Sequence, residues 1–190
     1  MWRALFLVIA AAFGLSCFTA PDATAGTRFN FTVDTGQGAT FTRRYSGKRE
    51  VKFKSKYRKG TIIIKTGERK LYLVLGDGKA LQYGVGVGRK GYEWSGRSRI
   101  SRKAEWPGWT PPAEMRKREP HLPEFMPGGP NNPLGARALY LGASLYRIHG
   151  TNAAHTIGRA MSSGCIRMMN QDVIDLYKRV KVGTTVVVTD

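Results

Sequence analysis

Cysteine and histidine are scarce in this sequence, and their scarcity excludes several classes of protein. The 190 residues contain two cysteines and three histidines. Cys17 lies in an N-terminal segment that we expect to be removed, so the mature chain keeps one thiol, Cys165, and cannot form an internal disulfide. The spacing of His121, His149 and His155 matches no zinc-binding pattern, and no second cysteine can complete one. We therefore expect neither a disulfide scaffold nor a metal site.

Acidic residues are also few, with 13 Asp and Glu against 31 Lys and Arg, which gives a formal net charge of +18. A surface this basic attracts anionic polymers. For a cytoplasmic protein the usual partner would be nucleic acid, whereas cell-wall polymers, anionic lipid headgroups or lipopolysaccharide suit an exported protein. Because the N-terminus indicates export, we expect anionic wall or envelope polymers as partners and no nucleic acid.

Residues 1–25 have the three parts of a secretory signal peptide. Arg3 supplies the charged part, residues 4–18 the apolar run, and Ala-Thr-Ala at 23–25 the small residues of a cleavage site. The apolar run is shorter than the ~20 residues of a membrane-spanning helix. We expect an exported protein of the periplasm or cell envelope whose mature chain begins near Gly26. An uncleaved N-terminal anchor is the alternative.

Residues 26–57 form a basic N-terminal extension. Between Val51 and Arg58, apolar and basic residues alternate, and this period of two predicts a strand with one cationic face. The lysines of that face have two interpretations. They protect an edge strand against aggregation, or they contact an anionic polymer.

Residues 58–190 have the pattern of one mostly β domain. Residues 88–135 form a long irregular stretch, typical of a functional loop, and Asn170 is predicted to cap a helix that ends before Gly183. The expected fold is β-rich, with mixed sheets or a sandwich and one or two short helices. Apolar runs predict six strands, at 61–65, 70–75, 81–87, 137–142, 145–149 and 184–189. The first three are expected to form an antiparallel meander.

The most informative motif is SSGCIR at 162–167, which contains Cys165 and follows His149 along the chain. To become a good nucleophile, a thiol needs a base or a positive charge that keeps the thiolate, and His149 can supply either. The small residues Ser163 and Gly164 let backbone N–H groups face a carbonyl oxygen. The pattern predicts acyl transfer with Cys165 as the nucleophile. A small buried cysteine without a chemical role is the alternative.

Two weaker patterns do not establish a site. Residues 86–91 match the dinucleotide pattern G-x-G-x-x-G after a strand, but no helical pattern follows, so we interpret the match as chance. Trp94, Trp106 and Trp109 either stack on a sugar or base, or pack the long loop onto the sheet.

Longer stretches around these residues resemble the L,D-transpeptidases of the YkuD type. The resemblance covers roughly residues 58–190. One position departs from the common pattern, since many members have His where this chain has Ser163. The matching stretches are WPGWTPPAEM at 106–115, GGPNNPLG at 128–135, YRIHGTN at 146–152, IG at 157–158 and SSGCIRM at 162–168.

The resemblance implies a catalytic domain of that fold and a cell-wall reaction. Such enzymes attack the peptide bond after the third stem residue of peptidoglycan, usually a diaminopimelate. They release D-alanine and pass the acyl group from a cysteine thioester to an amine. That amine belongs to another diaminopimelate, to a lipoprotein lysine or to a free D-amino acid. The resemblance implies no metal or organic cofactor.

The roles of the central residues follow from the resemblance by position. Cys165 matches the nucleophile and His149 the general base and acid, with the carbonyl of Gly150 orienting the imidazole ring. The backbone N–H groups of Gly164 and Cys165, together with that of Ser163, would hold the oxyanion.

Arg167 and Asn152 stand in the same motifs and have two interpretations each. Arg167 either binds a substrate carboxylate or braces its loop through hydrogen bonds. Asn152 either contacts substrate or braces its own loop.

Two functions from other classes stay open. The same cysteine and histidine with water as the acceptor would make a cysteine peptidase or amidase that hydrolyses wall peptides. The other is a non-catalytic basic module that binds the wall and carries an incidental cysteine. Substitution of Cys165 would leave the function of such a module intact.

Overall fold

The computed structural model describes residues 47–190 and the backbone of two earlier strands, β1 (Phe29–Asp34) and β2 (Thr40–Tyr45), which pair antiparallel. The predicted signal peptide and much of the predicted basic extension lie outside the described residues. None of the helices in the described part of the chain has the length and apolar content that a membrane span requires.

The main domain contains eleven more strands and two α-helices, and this content confirms the predicted mostly β fold. The helices are α1 (Ala113–Arg118) and α2 (Asn170–Arg179), with one turn of 3₁₀ helix at Ala154–Thr156. The strands are β3 (Arg49–Lys52), β4 (Ile62–Lys65), β5 (Lys70–Gly76), β6 (Lys79–Gly84), β7 (Val87–Gly88), β8 (Gly96–Glu105), β9 (Arg137–Leu141), β10 (Arg147–His149), β11 (Ala160–Ser162), β12 (Ile166–Arg167) and β13 (Thr185–Thr189).

Nine strands form one mixed sheet in the order β12-β10-β9-β8-β13-β4-β5-β6-β3. The strands β4, β5 and β6 form the predicted antiparallel meander. Two pairs are parallel, β13 with β4 and β10 with β12. The long strand β8 joins the two halves of the sheet, because its first part pairs with β13 and its second part with β9.

Strand β8 corrects the expectation that residues 88–135 are irregular. Its sequence, GRSRISRKAE, has no apolar alternation, and only Ile100 of the strand is buried. Backbone hydrogen bonds with its two neighbouring strands hold it in the sheet, because each neighbour offers N–H and C=O groups that pair with its own. Periodicity alone cannot detect such a strand.

The core lies between side chains from both halves of the sheet. Alternate residues such as Ile62, Leu71 and Val186 point into it from one half, and Leu139 and Ile148 from the other. Each fully buried aliphatic side chain contributes roughly 1.5–3 kcal/mol relative to an exposed one. Helix α2 packs against β9 and β10 through its own buried face, and so supports the strand that carries His149.

The predicted strand between Val51 and Arg58 is wrong in extent. The edge strand β3 ends at Lys52, and Phe53 and Tyr57 pack on the outer face of the sheet instead of continuing a ladder. The ring of Phe53 stacks on that of Tyr72 with centroids 4.4 Å apart. Apolar and basic residues alternate here because the apolar side chains cover the outer face of the sheet while the lysines between them stay exposed.

Asn170 does not cap α2 as predicted. It is the first residue of the helix, and its side-chain Oδ1 accepts hydrogen bonds from the backbone N–H groups of Ala136 at 2.9 Å and Thr151 at 3.2 Å. These bonds compete with capping. They fix the segment that follows His149, so the helix positions the site as well as the core.

Two carboxyl groups of α2 have opposite environments. Burial raises the pKa of Asp172 to about 7, and its Oδ2 has no hydrogen-bond partner among the described residues. Asp175 accepts bonds from Tyr83 at 2.7 Å, Lys48 at 2.8 Å and Arg179 at 2.9 Å. These partners outweigh its partial burial and lower its pKa to about 2.

We expect Asp172→Asn to stabilise the protein at alkaline pH and Asp175→Asn to destabilise it. The folded state holds a proton on Asp172 that the unfolded state releases, so this carboxyl removes stability as the pH rises from about 4 to about 7. At about pH 8 the Asp172→Asn variant should unfold with a free energy roughly 1–3 kcal/mol higher than the wild type, with no gain at about pH 4.

Ionised Asp175 stabilises the fold above about pH 4, and this contribution is lost as the pH falls toward 2. Its substitution should cost roughly 1–2 kcal/mol at neutral pH and little near pH 2. Urea unfolding of both variants across this pH range measures the two effects. Equal pH dependence in both variants would contradict the assignment.

Candidate active site

Two short parallel strands place the candidate catalytic side chains on one face of the sheet. β10 and β12 pair so that Ile148 is opposite Ile166 and His149 is opposite Arg167. Both isoleucines are buried in the core. Because successive side chains of a strand point to opposite faces, His149 and Arg167 face the other way, into a cleft.

The same alternation extends to the residues just before this pairing. Arg147 precedes His149 by two positions and Cys165 precedes Arg167 by two, and both line the cleft. The register sets His149 opposite Arg167, and two residues earlier it sets Cys165 beside Arg147, with which the thiol interacts, so the four positions form a square on the sheet face. The predicted nucleophile and base lie on its diagonal.

The cleft has a volume of about 710 Å³, enough for several peptide residues. Its opposite wall comes from the long segment 88–135, including α1 and Trp109. Two backbone hydrogen bonds of 2.8 Å join Trp109 to Met126 and fix this wall. The side chains that the segment contributes to the cleft are Tyr92, Trp109, Pro112, Glu114, Met115, Arg118, Pro133 and Leu134.

His149 is a neutral base in this environment. The side chain is 4% exposed, and its Nδ1 lies 2.6 Å from the carbonyl oxygen of Gly150. A carbonyl can only accept, so Nδ1 carries the proton and Nε2 keeps its lone pair. Burial, followed by the positive charges of Arg167 and Arg147, lowers the pKa of His149 to about 3.

Cys165 is a protonated thiol at rest. Burial raises its pKa, and the nearby Arg147 and Arg167 oppose the rise. The Sγ atom lies 3.8 Å from the carbonyl oxygen of Leu145, which can accept a weak bond from the thiol. The resting site therefore holds a neutral thiol and a neutral imidazole, and a thiol in this state becomes a good nucleophile only by losing its proton.

The loop before the sulfur presents free backbone donors. The N–H groups of Ser163, Gly164 and Cys165 donate no hydrogen bond to any other described residue. The carbonyls of Gly164 and Cys165 are held from the opposite side, by Trp94 Nε1 at 2.8 Å and by Ser162 Oγ at 2.6 Å. Anchored carbonyls with unpaired N–H groups are the geometry that an oxyanion-binding loop requires.

A stacked pair of aromatic rings holds this loop in place. Trp94 lies parallel to Tyr146, with centroids 4.6 Å apart and an interplanar angle of 2°. Gly164 has φ +98°, and a Cβ atom there would meet the ring of Tyr146. Glycine is needed at this position for both reasons. Of the two roles considered for Trp94, stacking on a sugar or base and packing, the structure supports packing. The residue packs against the loop that carries Cys165.

Arg167 and Asn152 differ in their position relative to the cleft. Arg167 lines the cleft, and its backbone exchanges two 2.9 Å hydrogen bonds with Gly86. Asn152 donates to the carbonyl of Asn131 at 2.8 Å and is not part of the cleft lining described here. Its contact with substrate stays a prediction.

Sequence reasoning missed Arg147 and Arg89 as parts of this site. The alternation along β10 could have found Arg147, since it shares a strand face with His149. Arg89 reaches the site through Ser163, whose Oγ lies 3.1 Å from its Nη1. That contact joins residues far apart in the chain, so no local sequence pattern predicts it.

The dinucleotide pattern at residues 86–91 has no supporting structure. Within the described chain, β7 is followed by a turn and then by β8, and the next α-helix begins only at Ala113. A phosphate-binding turn of that kind needs a helix directly after the glycines. The described residues also contain no group of three or more His, Cys, Asp or Glu side chains that could hold a metal ion.

Comparison with known proteins identifies relatives of the domain that carries the cleft. The family model described as L,D-transpeptidase catalytic domain matches residues 59–188. The probable L,D-transpeptidase ErfK/SrfK of Escherichia coli is 42% identical over 142 residues, which cover 70% of this chain and 44% of that protein. The chain thus spans less than half the length of this relative.

Two solved structures have a similar fold. One from Brucella melitensis, named probable carnitine operon oxidoreductase caia, is 47% identical, covers 75% of this chain and 92% of its own, and superposes with a TM-score of 0.51. L,D-transpeptidase 3 from Mycobacterium tuberculosis, in complex with a faropenem-derived adduct, superposes with a TM-score of 0.52 over 68% of this chain and 60% of its own. Its identity is 14%, so it supports likeness of fold only.

We expect the rate of Cys165 alkylation by iodoacetamide to rise continuously with pH and to show no plateau between about pH 5 and 7. The reason is that a neutral thiol beside a neutral imidazole forms thiolate only as the thiol itself titrates. Intact-protein mass spectrometry at a series of pH values measures the rate. A plateau in that range that disappears in His149→Ala would show a preformed thiolate–imidazolium pair instead.

Proposed function

Because the chain belongs to the L,D-transpeptidase catalytic domain family, we propose that it is a cysteine-dependent L,D-transpeptidase acting on peptidoglycan stem peptides. The observation that carries the proposal is the cleft that both Cys165 and His149 line, beside three backbone N–H groups that have no partner among the described residues. These are the nucleophile, base and oxyanion donors that acyl transfer requires. The proposed reaction cross-links or remodels the cell wall.

In the first half of the reaction, His149 Nε2 takes the thiol proton while Cys165 Sγ attacks the carbonyl carbon of the third stem residue. The carbonyl π electrons move onto oxygen, and the oxyanion accepts hydrogen bonds from the loop at 163–165. The intermediate collapses, the bond to the D-alanine nitrogen breaks, and His149 returns its proton to that nitrogen. D-Alanine leaves and a thioester remains.

In the second half, an acceptor amine attacks the thioester. His149 removes a proton from the amine and then protonates the departing sulfur, which restores the resting pair. The low pKa of His149 suits the acid step, because a buried imidazolium next to cations gives up its proton readily. Each oxyanion donor typically contributes about 3–4 kcal/mol of transition-state stabilisation.

We assign to Arg167 the binding of the carboxylate of the leaving D-alanine. It lies opposite His149 in the strand register, and His149 must be near the leaving nitrogen. Its guanidinium makes no salt bridge with another described residue. A planar guanidinium binds a carboxylate through two parallel hydrogen bonds.

The acceptor decides between the transferase and its nearest rival. If water attacks the thioester, the same residues make a cysteine peptidase or amidase. We propose an amine acceptor, on a second stem peptide, a lipoprotein lysine or a free D-amino acid, because the family to which the chain belongs is one of transpeptidases. The proposed site needs no metal or organic cofactor. We further propose that residues 1–25 direct export to the periplasm or envelope, followed by the basic extension 26–57 and the catalytic domain 58–190.

We expect purified protein mixed with a disaccharide-tetrapeptide to form a covalent adduct on Cys165 and to release D-alanine. A penem such as faropenem should form a similar adduct. Cys165→Ser should form neither thioester, and His149→Ala should slow acylation by about 10²–10⁴-fold because the base is removed. Intact-protein mass spectrometry detects the adducts. Failure of the wild-type protein to form an adduct or release D-alanine would overturn the proposal.

Added glycine or a D-amino acid separates transfer from hydrolysis. The transferase should give an amine-exchanged stem peptide in place of the free tripeptide. If the tripeptide accumulates at the same rate with and without the amine, the protein is a hydrolase. Mass spectrometry of the released peptides distinguishes these products.

The exposed lysines Lys52, Lys54 and Lys56 are proposed to contact an anionic wall polymer. Their joint replacement by Gln should weaken binding to isolated sacculi at low salt, and the difference should shrink as salt rises, since screening acts over ~8–10 Å. A control with the same charge change replaces the exposed lysines Lys90, Lys178 and Lys181. Equal binding of both variants would contradict this contact and leave edge protection as the role of Lys52, the one of the three that lies in β3.

A further inference from the structure

The cleft carries more positive charge than the proposed reaction uses. Three arginines line it, Arg118, Arg147 and Arg167. The single acidic residue in the lining, Glu114, is already paired with Lys117 at 3.0 Å. A cleft lined in this way attracts an anionic ligand and holds it at more than one point.

Arg147 is the least satisfied of these cations. Its Nε is buried and has no hydrogen-bond partner, and the side chain forms no salt bridge among the described residues. Its guanidinium lies over the ring of Tyr140, 5.2 Å from the centroid. A cation held partly out of water is costly unless an opposite charge compensates it. Among the described residues only Cys165, once it is a thiolate, interacts with Arg147 in this way, so in the resting site a ligand is left to supply the charge.

The position of Arg147 indicates which part of a substrate it meets. It lies beside Cys165 in the square of side chains, whereas Arg167 lies beside His149. The leaving amine must be near His149, so Arg167 faces the leaving group. Arg147 faces the group that becomes bonded to sulfur. What it contacts therefore belongs to the acyl residue itself.

We propose that Arg147 is a substrate-binding residue that holds a free carboxylate on the side chain of the acyl residue, so that the cleft selects donors with this carboxylate over donors in which it is an amide. The inference rests on the proposed function, because it assigns a specificity to the same site. An amide has one acceptor oxygen and no charge, and cannot replace the two hydrogen bonds of a carboxylate to a guanidinium.

The test compares two stem tetrapeptides that differ only in this group, carboxylate or amide, by the second-order rate of acylation of Cys165. Wild-type protein should prefer the carboxylate by about 10-fold or more. In Arg147→Gln the ratio should fall to about 2-fold or less, and Arg147→Lys should restore part of it. A third donor, amidated instead at the second stem residue, should react like the unmodified one. If this third donor alone reacts slowly, the carboxylate comes from that residue and the assignment is wrong.

Arg102→Gln is the matched control. Its guanidinium also lies over the ring of Tyr140, 3.6 Å from the centroid, but it is exposed and does not line the cleft. This variant should keep the wild-type ratio. If Arg147→Gln keeps it too, the proposal is overturned.

A second measurement needs no peptidoglycan chemistry. Iodoacetate and iodoacetamide alkylate the same sulfur, and only the first carries a carboxylate. The ratio of their rates on Cys165 should fall several-fold in Arg147→Gln and stay constant in Arg102→Gln. A ratio that falls while no stem peptide acylates the protein would overturn the proposed function but support an anion site at Arg147. An unchanged ratio counts against the anion site itself.

Discussion

The short parallel pairing between β10 and β12 is the constraint on which the site depends. It joins only two residues of each strand, yet it sets His149 opposite Arg167 and brings Cys165 next to Arg147. A shift of one residue would turn these side chains into the core and expose Ile148 and Ile166. The burial of those two isoleucines therefore fixes the geometry of the face that lines the cleft. Asn170 and the bonds between Gly86 and Arg167 hold the ends of the pairing.

The aromatic stack acts on the other half of the site. Trp94 and Tyr146 leave no room for a side chain at Gly164 and hold its carbonyl, so the backbone N–H groups of the loop have one orientation. Donors aimed in advance need no reorganisation when charge develops on a substrate oxygen. The proposed function of the loop would thus depend on rigidity supplied by Trp94 and Tyr146.

The sequence allowed prediction of those features that a local pattern encodes. The strands around Ile62, Leu71 and Val186 were predictable because their side chains alternate or are β-branched, and the pair Cys165 and His149 because few residue types can perform acyl transfer. Strand β8 was not predictable, since pairing with two neighbours holds it and its side chains are polar. Trp94 and Gly164 are far apart in the sequence and meet only in the fold, so no local periodicity predicts their contact.

The arginines of the cleft have opposite effects on the two members of the pair. They favour a thiolate on Cys165 and oppose a proton on His149. These arginines therefore make the cleft a poor place for an imidazolium. Two unit charges about 6 Å apart at an effective dielectric constant of about 20 interact by roughly 3 kcal/mol, or about 2 pKa units. A donor carboxylate that pairs with one guanidinium would remove part of that repulsion, while burial, the larger cause of the low pKa of His149, would remain. Because the same arginine also favours the thiolate, its neutralisation would raise the pKa of Cys165 as well as that of His149, so the balance of proton transfer between them would change less than either pKa alone.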